Sequence, residues 1–119
     1  MIRSHQFSAI LIASQALFDW NESDFITVLK TAVKNAELTS VGEISYSFQP
    51  QGISAILLLE ESHVALHFWA EEGKVTIDIH VCDYQQDNQA KAEFLAKLLT
   101  FQVTGNTSID SWKYFCING

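Results

Sequence analysis

The chain has 119 residues, 48% of them hydrophobic, and a formal net charge of −7, so we expect a single domain with a substantial core. Seven Lys and Arg residues cannot form a basic stripe along a phosphate backbone or an anionic membrane, and neither nucleic acid nor membrane is an expected partner. The two cysteines, Cys82 and Cys116, indicate free thiols in a reducing compartment, which predicts a cytoplasmic protein.

The first half of the chain predicts a strand, a helix and two further strands. Residues 7–14 form a short apolar run interrupted by serine, which favours a strand over a signal peptide. Residues 43–48 alternate as a strand, 49–52 indicate a turn, and 53–60 predict a strand buried on both faces or nearly so. Asn21 and Asp24 mark the start of the intervening helix, whose apolar stripe comprises Phe25, Val28, Leu29, Ala32, Val33 and Ala36.

Residues 63–69 and 75–82 predict a hairpin of two alternating strands. Its apolar face comprises Val64, Leu66, Phe68, Val75, Ile77, Ile79 and Val81. Its other face comprises His63, Ala65, His67, Trp69, Thr76, Asp78, His80 and Cys82. If the turn centres on Glu71 and Glu72, residue i pairs with roughly 143 − i, which places Cys82 across from Glu61 and beside Ser62.

A second helix is predicted over residues 87–99, with an apolar stripe of Phe94, Leu95, Leu98 and Leu99, and a weak last strand over residues 111–117. This order of elements indicates one α+β domain over residues 1–119. We expect a two-layer sandwich, with helices packed on one face of an antiparallel β-sheet. The opposite face of such a sheet can meet solvent, a site or a partner subunit.

Three interpretations of the polar residues on that face are open from the pattern alone. A metal site of His63, His67, His80 and Cys82 is disfavoured, because strand residues four apart stand ~13 Å from each other. A Ser–His–acid hydrolase is disfavoured because no nucleophile-elbow glycines surround Ser62. A merely solvated polar face carries the most weight.

A longer series of residues bears on the choice among these three interpretations. In chain order it comprises Phe48, Pro50, Gly52, Ser54, Glu61, Ser62, His63, His67, Trp69, Glu71, Asp78 and Cys82. With matching spacing and no gap, it resembles the core of the prokaryotic S-adenosylmethionine decarboxylase proenzymes. That family carries Phe-x-Pro-x-Gly-Val-Ser, Glu-Ser-His, His-Thr-Trp-Pro-Glu and Asp-x-x-x-Cys-Gly. Here Phe68 and Ala70 replace the Thr and Pro, Asp83 replaces the last Gly, and the usual Gly-x-His opening is missing.

The resemblance implies a chain that makes its own cofactor. Self-cleavage between Glu61 and Ser62 would turn Ser62 into a pyruvoyl group, whose ketone forms a Schiff base with the substrate amine and acts as an electron sink. In processing, His67 would move protons and Ser54 would assist by hydrogen bonding. Cys82 would protonate the substrate carbon after carbon dioxide leaves.

The resemblance also assigns substrate contacts. Glu71 would hold the ribose hydroxyls, Phe48 would stack on adenine, and Trp69 would be a further substrate-binding residue. Ordinary packing is an equally weighted alternative for both aromatic residues. No metal ion is expected.

Three functions are open. The departures from the family pattern fall around the substrate and leave its identity open, and the intact Ser62 leaves an unprocessed relative open. The first is decarboxylation of S-adenosylmethionine for spermidine and other polyamine synthesis. The second is the same chemistry on another amino acid, such as ornithine or arginine. The third is an unprocessed, non-catalytic relative that acts as a dimeric binding module.

The spacing of Ser62 and His67 predicts an assembly. Five residues apart on a regular strand, they stand roughly 16 Å from each other and on opposite faces. We therefore expect a homodimer with two shared sites, each combining Ser62 and Cys82 of one chain with His67 and Ser54 of its partner. The alternative is a folded-back segment at Glu61–Ser62 that closes the gap within one chain.

Overall fold

The computed structural model describes residues 1–119 as a six-stranded sheet with two α-helices. The elements are β1 (Arg3–Ile12), a 3₁₀ helix (Gln15–Asp19), α1 (Glu22–Asn35), β2 (Ser40–Ser47), β3 (Ile53–Leu59), β4 (Ser62–Trp69), β5 (Lys74–Cys82), α2 (Gln89–Thr104) and β6 (Lys113–Asn118). The strands lie in the order β2-β3-β4-β5-β1-β6, and every neighbouring pair is antiparallel. The predicted α+β sandwich is confirmed. Neither α-helix has the length and apolarity that crossing a membrane would require.

The first α-helix begins at its predicted capping signal. The Asn21 side chain accepts a hydrogen bond from the backbone N–H of Asp24, and the Asp24 carboxylate accepts one from the N–H of Asn21. This reciprocal pair satisfies two N–H groups that would otherwise lack partners. The helix packs against β2 and β3, and its buried residues are Phe25, Ile26, Leu29, Ala32 and Val33.

The second α-helix packs against β1 and β5 through a face that differs in part from the predicted one. It buries Leu95 and Leu99 together with the small residues Ala92 and Ala96. Phe94, which we predicted in the apolar stripe, is 44% exposed. The prediction was wrong there because the alanines, not the phenylalanine, complete the face that lies on the sheet.

The hairpin of β4 and β5 has the predicted register. His63 pairs with His80, and Trp69 pairs with Lys74. Its apolar face lies under the helices, and all its predicted members are buried: Val64, Leu66, Phe68, Val75, Ile77, Ile79 and Val81. A shift of one residue would have turned this whole set away from the core, so burial and register agree.

Two strand predictions need correction. The first strand begins at Arg3 instead of residue 7 and ends at Ile12, because it lies between β5 and β6 and pairs with both. The third strand is not buried on both faces. Leu57 is fully buried and Leu58 is 56% exposed, since helices cover only one side of the sheet.

The side of the sheet without helices is called the open face below. Cross-strand partners share a face, and the pairing places His63, His67, His80 and Cys82 there. The open face also carries large apolar side chains that are each exposed over half or more of their surface: Ile10, Ile12, Ile44, Tyr46, Leu58, Phe115 and Ile117.

Candidate active site

The residues singled out from the sequence form two groups at opposite ends of the β4–β5 hairpin. The first group, the serine end, comprises Glu61, Ser62, His63, His80 and Cys82. The second group, the pocket end, comprises Phe48, Ser54, His67, Trp69 and Glu71. The chain brings together the members of each group but keeps the two groups apart.

The serine end is built on the tight turn between β3 and β4. Leu59 pairs with Ser62, so Glu60 and Glu61 alone form the turn. Glu61 has φ 55°, in the left-handed region that non-glycine residues seldom adopt. The Glu61–Ser62 peptide bond therefore lies where a strained turn enters a regular strand.

The Ser62 side chain is held against β5. Only 6% of the residue is exposed, and its Oγ accepts a hydrogen bond from the backbone N–H of Cys82 at 3.1 Å. A cavity of about 170 Å³ opens beside Ser62 and Cys82, with Tyr84 and Lys91 also in its lining. The predicted meeting of Ser62 and Cys82 at one end of the sheet is confirmed.

Cys82 has the properties of a proton donor. Burial raises the pKa of its thiol, and the carboxylates of Glu61 and Asp83 raise it further. The thiol is therefore protonated at neutral pH, the state in which a thiol can act as a general acid. Its Sγ lies 3.3 Å from Nε2 of His80.

A buried network that the sequence did not reveal supports the chain after Cys82. His5, almost fully buried, places Nε2 2.8 Å from Asp83 and Nδ1 2.9 Å from the Tyr114 hydroxyl. Burial by itself would raise the pKa of Asp83, but hydrogen bonds from the Asn88 N–H and from His5 hold this pKa below its usual value. Asp87 lies close enough to His5 and Asp83 for the three side chains to ligate one metal ion. Both ring nitrogens of His5, however, already have hydrogen-bond partners.

The pocket end surrounds a cavity of about 380 Å³, a size typical of small-molecule sites. Phe48 and Trp69 line it and are 50% and 47% exposed, so neither is a core residue. Gly52 has φ 108°, and a Cβ there would meet the Phe68 carbonyl oxygen at 3.3 Å. The turn that carries Phe48 therefore depends on glycine at this position.

Within the pocket end, Ser54 and His67 are direct cross-strand partners. Oγ of Ser54 lies 2.6 Å from Nδ1 of His67, so the serine orients the imidazole. Glu71 contributes an exposed carboxylate to the same cavity. Together they offer an imidazole, a carboxylate and two aromatic surfaces to one ligand.

No part of β4 folds back to close the gap between Ser62 and His67. The strand pairs residue by residue with β3 from Ser62 to Phe68, without a register shift. Ser62 is buried on the helix side, whereas His67 lies on the open face. The folded-back alternative was therefore wrong, and one chain does not join the two groups.

Comparisons with known proteins agree on one family. A family model described as S-adenosylmethionine decarboxylase matches residues 13–111. The S-adenosylmethionine decarboxylase proenzyme of Parasynechococcus marenigrum is 34% identical over 93 residues, which cover 77% of this chain and 72% of that protein. The proenzyme of Aquifex aeolicus is 42% identical over 59 residues, which cover 50% of this chain and 44% of that protein.

The fold is also similar to a solved structure. A crystal structure of the adenosylmethionine decarboxylase from Aquifex aeolicus superposes with a TM-score of 0.75 and 25% sequence identity, covering 96% of this chain and 88% of the other. The sequence alignment to the Aquifex aeolicus proenzyme, by contrast, spans less than half the length of that relative.

Proposed function

Because this chain belongs to the S-adenosylmethionine decarboxylase family, we propose that it is a self-processing, pyruvoyl-dependent decarboxylase of S-adenosylmethionine. Its product would be the aminopropyl donor for spermidine and other polyamine synthesis. The observation that carries the proposal is Ser62, buried at the exit of the strained Glu60–Glu61 turn with its hydroxyl held beside Cys82. The relatives' names favour this substrate over ornithine or arginine, and they favour an enzyme over a non-catalytic binding module.

Processing needs only atoms of the chain and one water molecule. Oγ of Ser62 attacks the Glu61 carbonyl carbon, and the amide becomes an ester with a free amine on residue 62. Loss of the α-proton of residue 62 then breaks the ester by β-elimination, which frees the Glu61 carboxylate and leaves dehydroalanine. Hydrolysis releases ammonia and leaves the pyruvoyl group. In this scheme His67 moves the protons, and Ser54 holds its ring by the 2.6 Å contact.

The serine end suits a pyruvoyl group at position 62. The site is buried, a cavity adjoins it, and a backbone N–H from β5 points at the residue's side-chain oxygen. When formed, the group supplies the electron sink for loss of carbon dioxide. The Cys82 thiol, protonated at neutral pH, would then give its proton to the substrate carbon.

The pocket end would hold the remainder of the substrate. Its 380 Å³ cavity can accept a nucleoside-sized ligand. In it Phe48 would stack on the adenine, with Trp69 beside it, and Glu71 would accept hydrogen bonds from the ribose hydroxyls. These roles need the pocket end close to the serine end, which does not occur within one chain.

We propose a homodimer for that reason, with the cytoplasm as its location. The open face exposes an apolar set of residues that a soluble monomer rarely leaves uncovered. If two open faces pack about a two-fold axis that runs across the strands, the serine end of one chain lies over the pocket end of its partner. Each of the two sites would then combine Ser62 and Cys82 of one chain with His67 and Ser54 of the other.

The function is tested on purified protein. After incubation, intact mass should show two fragments, residues 1–61 and residues 62–119, and Ser62→Ala should leave one full-length species. Release of labelled carbon dioxide should follow with S-adenosylmethionine, but not with ornithine or arginine. A wild-type chain that stays full-length would overturn the enzyme proposal. Release of carbon dioxide from ornithine or arginine alone would overturn the assignment of S-adenosylmethionine as the substrate.

A further inference from the structure

His80 contacts the proposed proton donor, but the processing scheme and the decarboxylation scheme give it no task. It lies two residues before Cys82 on β5, so both side chains are on the open face. Nε2 of His80 is 3.3 Å from the Cys82 sulfur. The other ring nitrogen, Nδ1, contacts the side-chain amide nitrogen of Gln6 on β1. The ring also stacks on His63, with centroids 4.8 Å apart and planes 6° apart.

The Gln6 contact indicates which nitrogen of His80 carries the proton. An amide nitrogen donates and does not accept, so with this nitrogen facing the ring, Nδ1 is the acceptor. The same amide nitrogen also lies 3.4 Å from Oγ of Ser4, a second acceptor. Burial lowers the pKa of His80, and His63 lowers it further, which keeps the imidazole neutral near pH 7. A neutral ring with Nδ1 unprotonated carries its single proton on Nε2, directed at the cysteine.

We propose that His80 is a positioning residue for Cys82: its Nε2–H donates a hydrogen bond to the sulfur and stabilises the thiolate that remains after the thiol has given up its proton. In that step the S–H bond breaks, the sulfur keeps the electron pair, and the proton goes to the substrate carbon. The thiolate then takes a proton from water before the next turnover. The purpose of this contact rests on the proposed function, but the hydrogen bond itself does not.

The charges around Cys82 make this donor important. Glu61, in the turn before β4, and Asp83, next along the chain, both disfavour a thiolate. From β4, His63 stacks on the His80 ring. The neighbouring β1 residues, Ser4 and Gln6, are uncharged. Lys91 of α2 is a cation in the lining of the cavity beside Cys82, but the Nε2–H of His80 is the side-chain donor in contact with the sulfur itself.

The test measures the acidity of Cys82 directly. In a Cys116→Ser background, Cys82 is the sole cysteine of the chain, and its rate of alkylation by iodoacetamide can be followed from about pH 6 to about pH 10. His80→Phe keeps an aromatic ring against His63 but has no donor. We expect the thiol pKa to rise by about one unit, so that alkylation near neutral pH is about tenfold slower. His80→Gln keeps an N–H and should stay within about threefold of the parent.

A matched control makes the same change on the other ring of the stack. His63→Phe alters the stacking partner without touching the sulfur, and we expect its alkylation profile to follow that of the parent. The inference is overturned if His80→Phe alkylates like the parent, or if His80→Gln and His63→Phe slow alkylation as much as His80→Phe. Absence of carbon dioxide release from the parent would count against the proposed function alone, because alkylation needs no turnover.

Discussion

Oγ of Ser54 and Nδ1 of His67 lie 2.6 Å apart as cross-strand partners, on the face of the sheet opposite to the buried side chain of Ser62. Five residues of regular strand separate this pair from Ser62 of its own chain, roughly 16 Å, so it does not reach that serine. A second chain that packs on the open face in the reverse direction would bring its own Glu61–Ser62 turn to the end of the sheet that carries the pair. The placement of the processing residues therefore predicts which chain of a mixed dimer is cleaved.

Ser62→Ala and His67→Ala chains should each stay uncleaved alone, and cleavage should return when they are mixed and allowed to exchange. In the mixed dimer, the one intact site combines Ser62 of the His67→Ala chain with His67 of the Ser62→Ala chain. Intact mass should thus show fragments of the His67→Ala chain only. Subunit exchange is verified with tagged chains. A mixture that exchanges without cleavage excludes the shared site.

Cys82→Ala should separate processing from turnover. The thiol acts after decarboxylation in the proposed scheme, so the variant should still yield both fragments while losing most formation of the correct product. Cys116 is exposed on β6, and Cys116→Ala should retain activity within about twofold. Product analysis by mass spectrometry makes the comparison. Full product formation by Cys82→Ala would remove Cys82 from the chemistry.

Leu57 and Leu58 are adjacent on β3 and face opposite sides of the sheet. Leu57→Ala leaves a cavity under α1 and should lower the free energy of unfolding by about 2–5 kcal/mol at every protein concentration. Leu58→Ala removes apolar surface from the open face, so its main effect should be a weaker dimer. Urea unfolding and sedimentation over a range of concentrations distinguish the two. A Leu58→Ala dimer as tight as the parent would count against packing through the open face.

Asp83 should make stability depend on acid pH. Its pKa is lower in the folded chain than in the unfolded one, despite burial, because the Asn88 N–H and His5 bond to the carboxylate. Its stabilising effect is therefore complete above the unfolded pKa of about 3.9 and disappears as the pH falls through the folded pKa. Asp83→Asn should be less stable than the parent at pH about 7, with a smaller difference near pH about 3. Urea unfolding at both pH values tests this, and a difference that does not change with pH would contradict it.

Local patterns were sufficient for much of the fold. The capping box at Asn21 and Asp24 located the first helix, and the alternation of residues 63–82 with its short turn determined the hairpin register. These signals are strong because each depends on residues close together in the chain. The packing of small residues on α2 left a weaker signal, so Phe94 was assigned to the wrong face.

Contacts between distant segments could not be predicted in the same way. No pattern in residues 3–12 shows that β1 lies beside β5, yet this pairing places Gln6 next to His80 and His5 next to Asp83. The family resemblance identified Ser54 and His67 one by one, but their contact and their separation from Ser62 follow from strand pairing. Residues that act through such non-local neighbours, His80 among them, stayed outside the sequence-based assignment.

The strand order also decides what a cut at Glu61–Ser62 does to the architecture. The first fragment would contribute β2, β3 and β1 to the sheet, and the second would contribute β4, β5 and β6. Because β1 is inserted between β5 and β6, the pieces interlock at three strand boundaries and do not sit side by side. The nicked molecule would therefore be a noncovalent complementation pair whose halves come apart only when the whole sheet is dismantled.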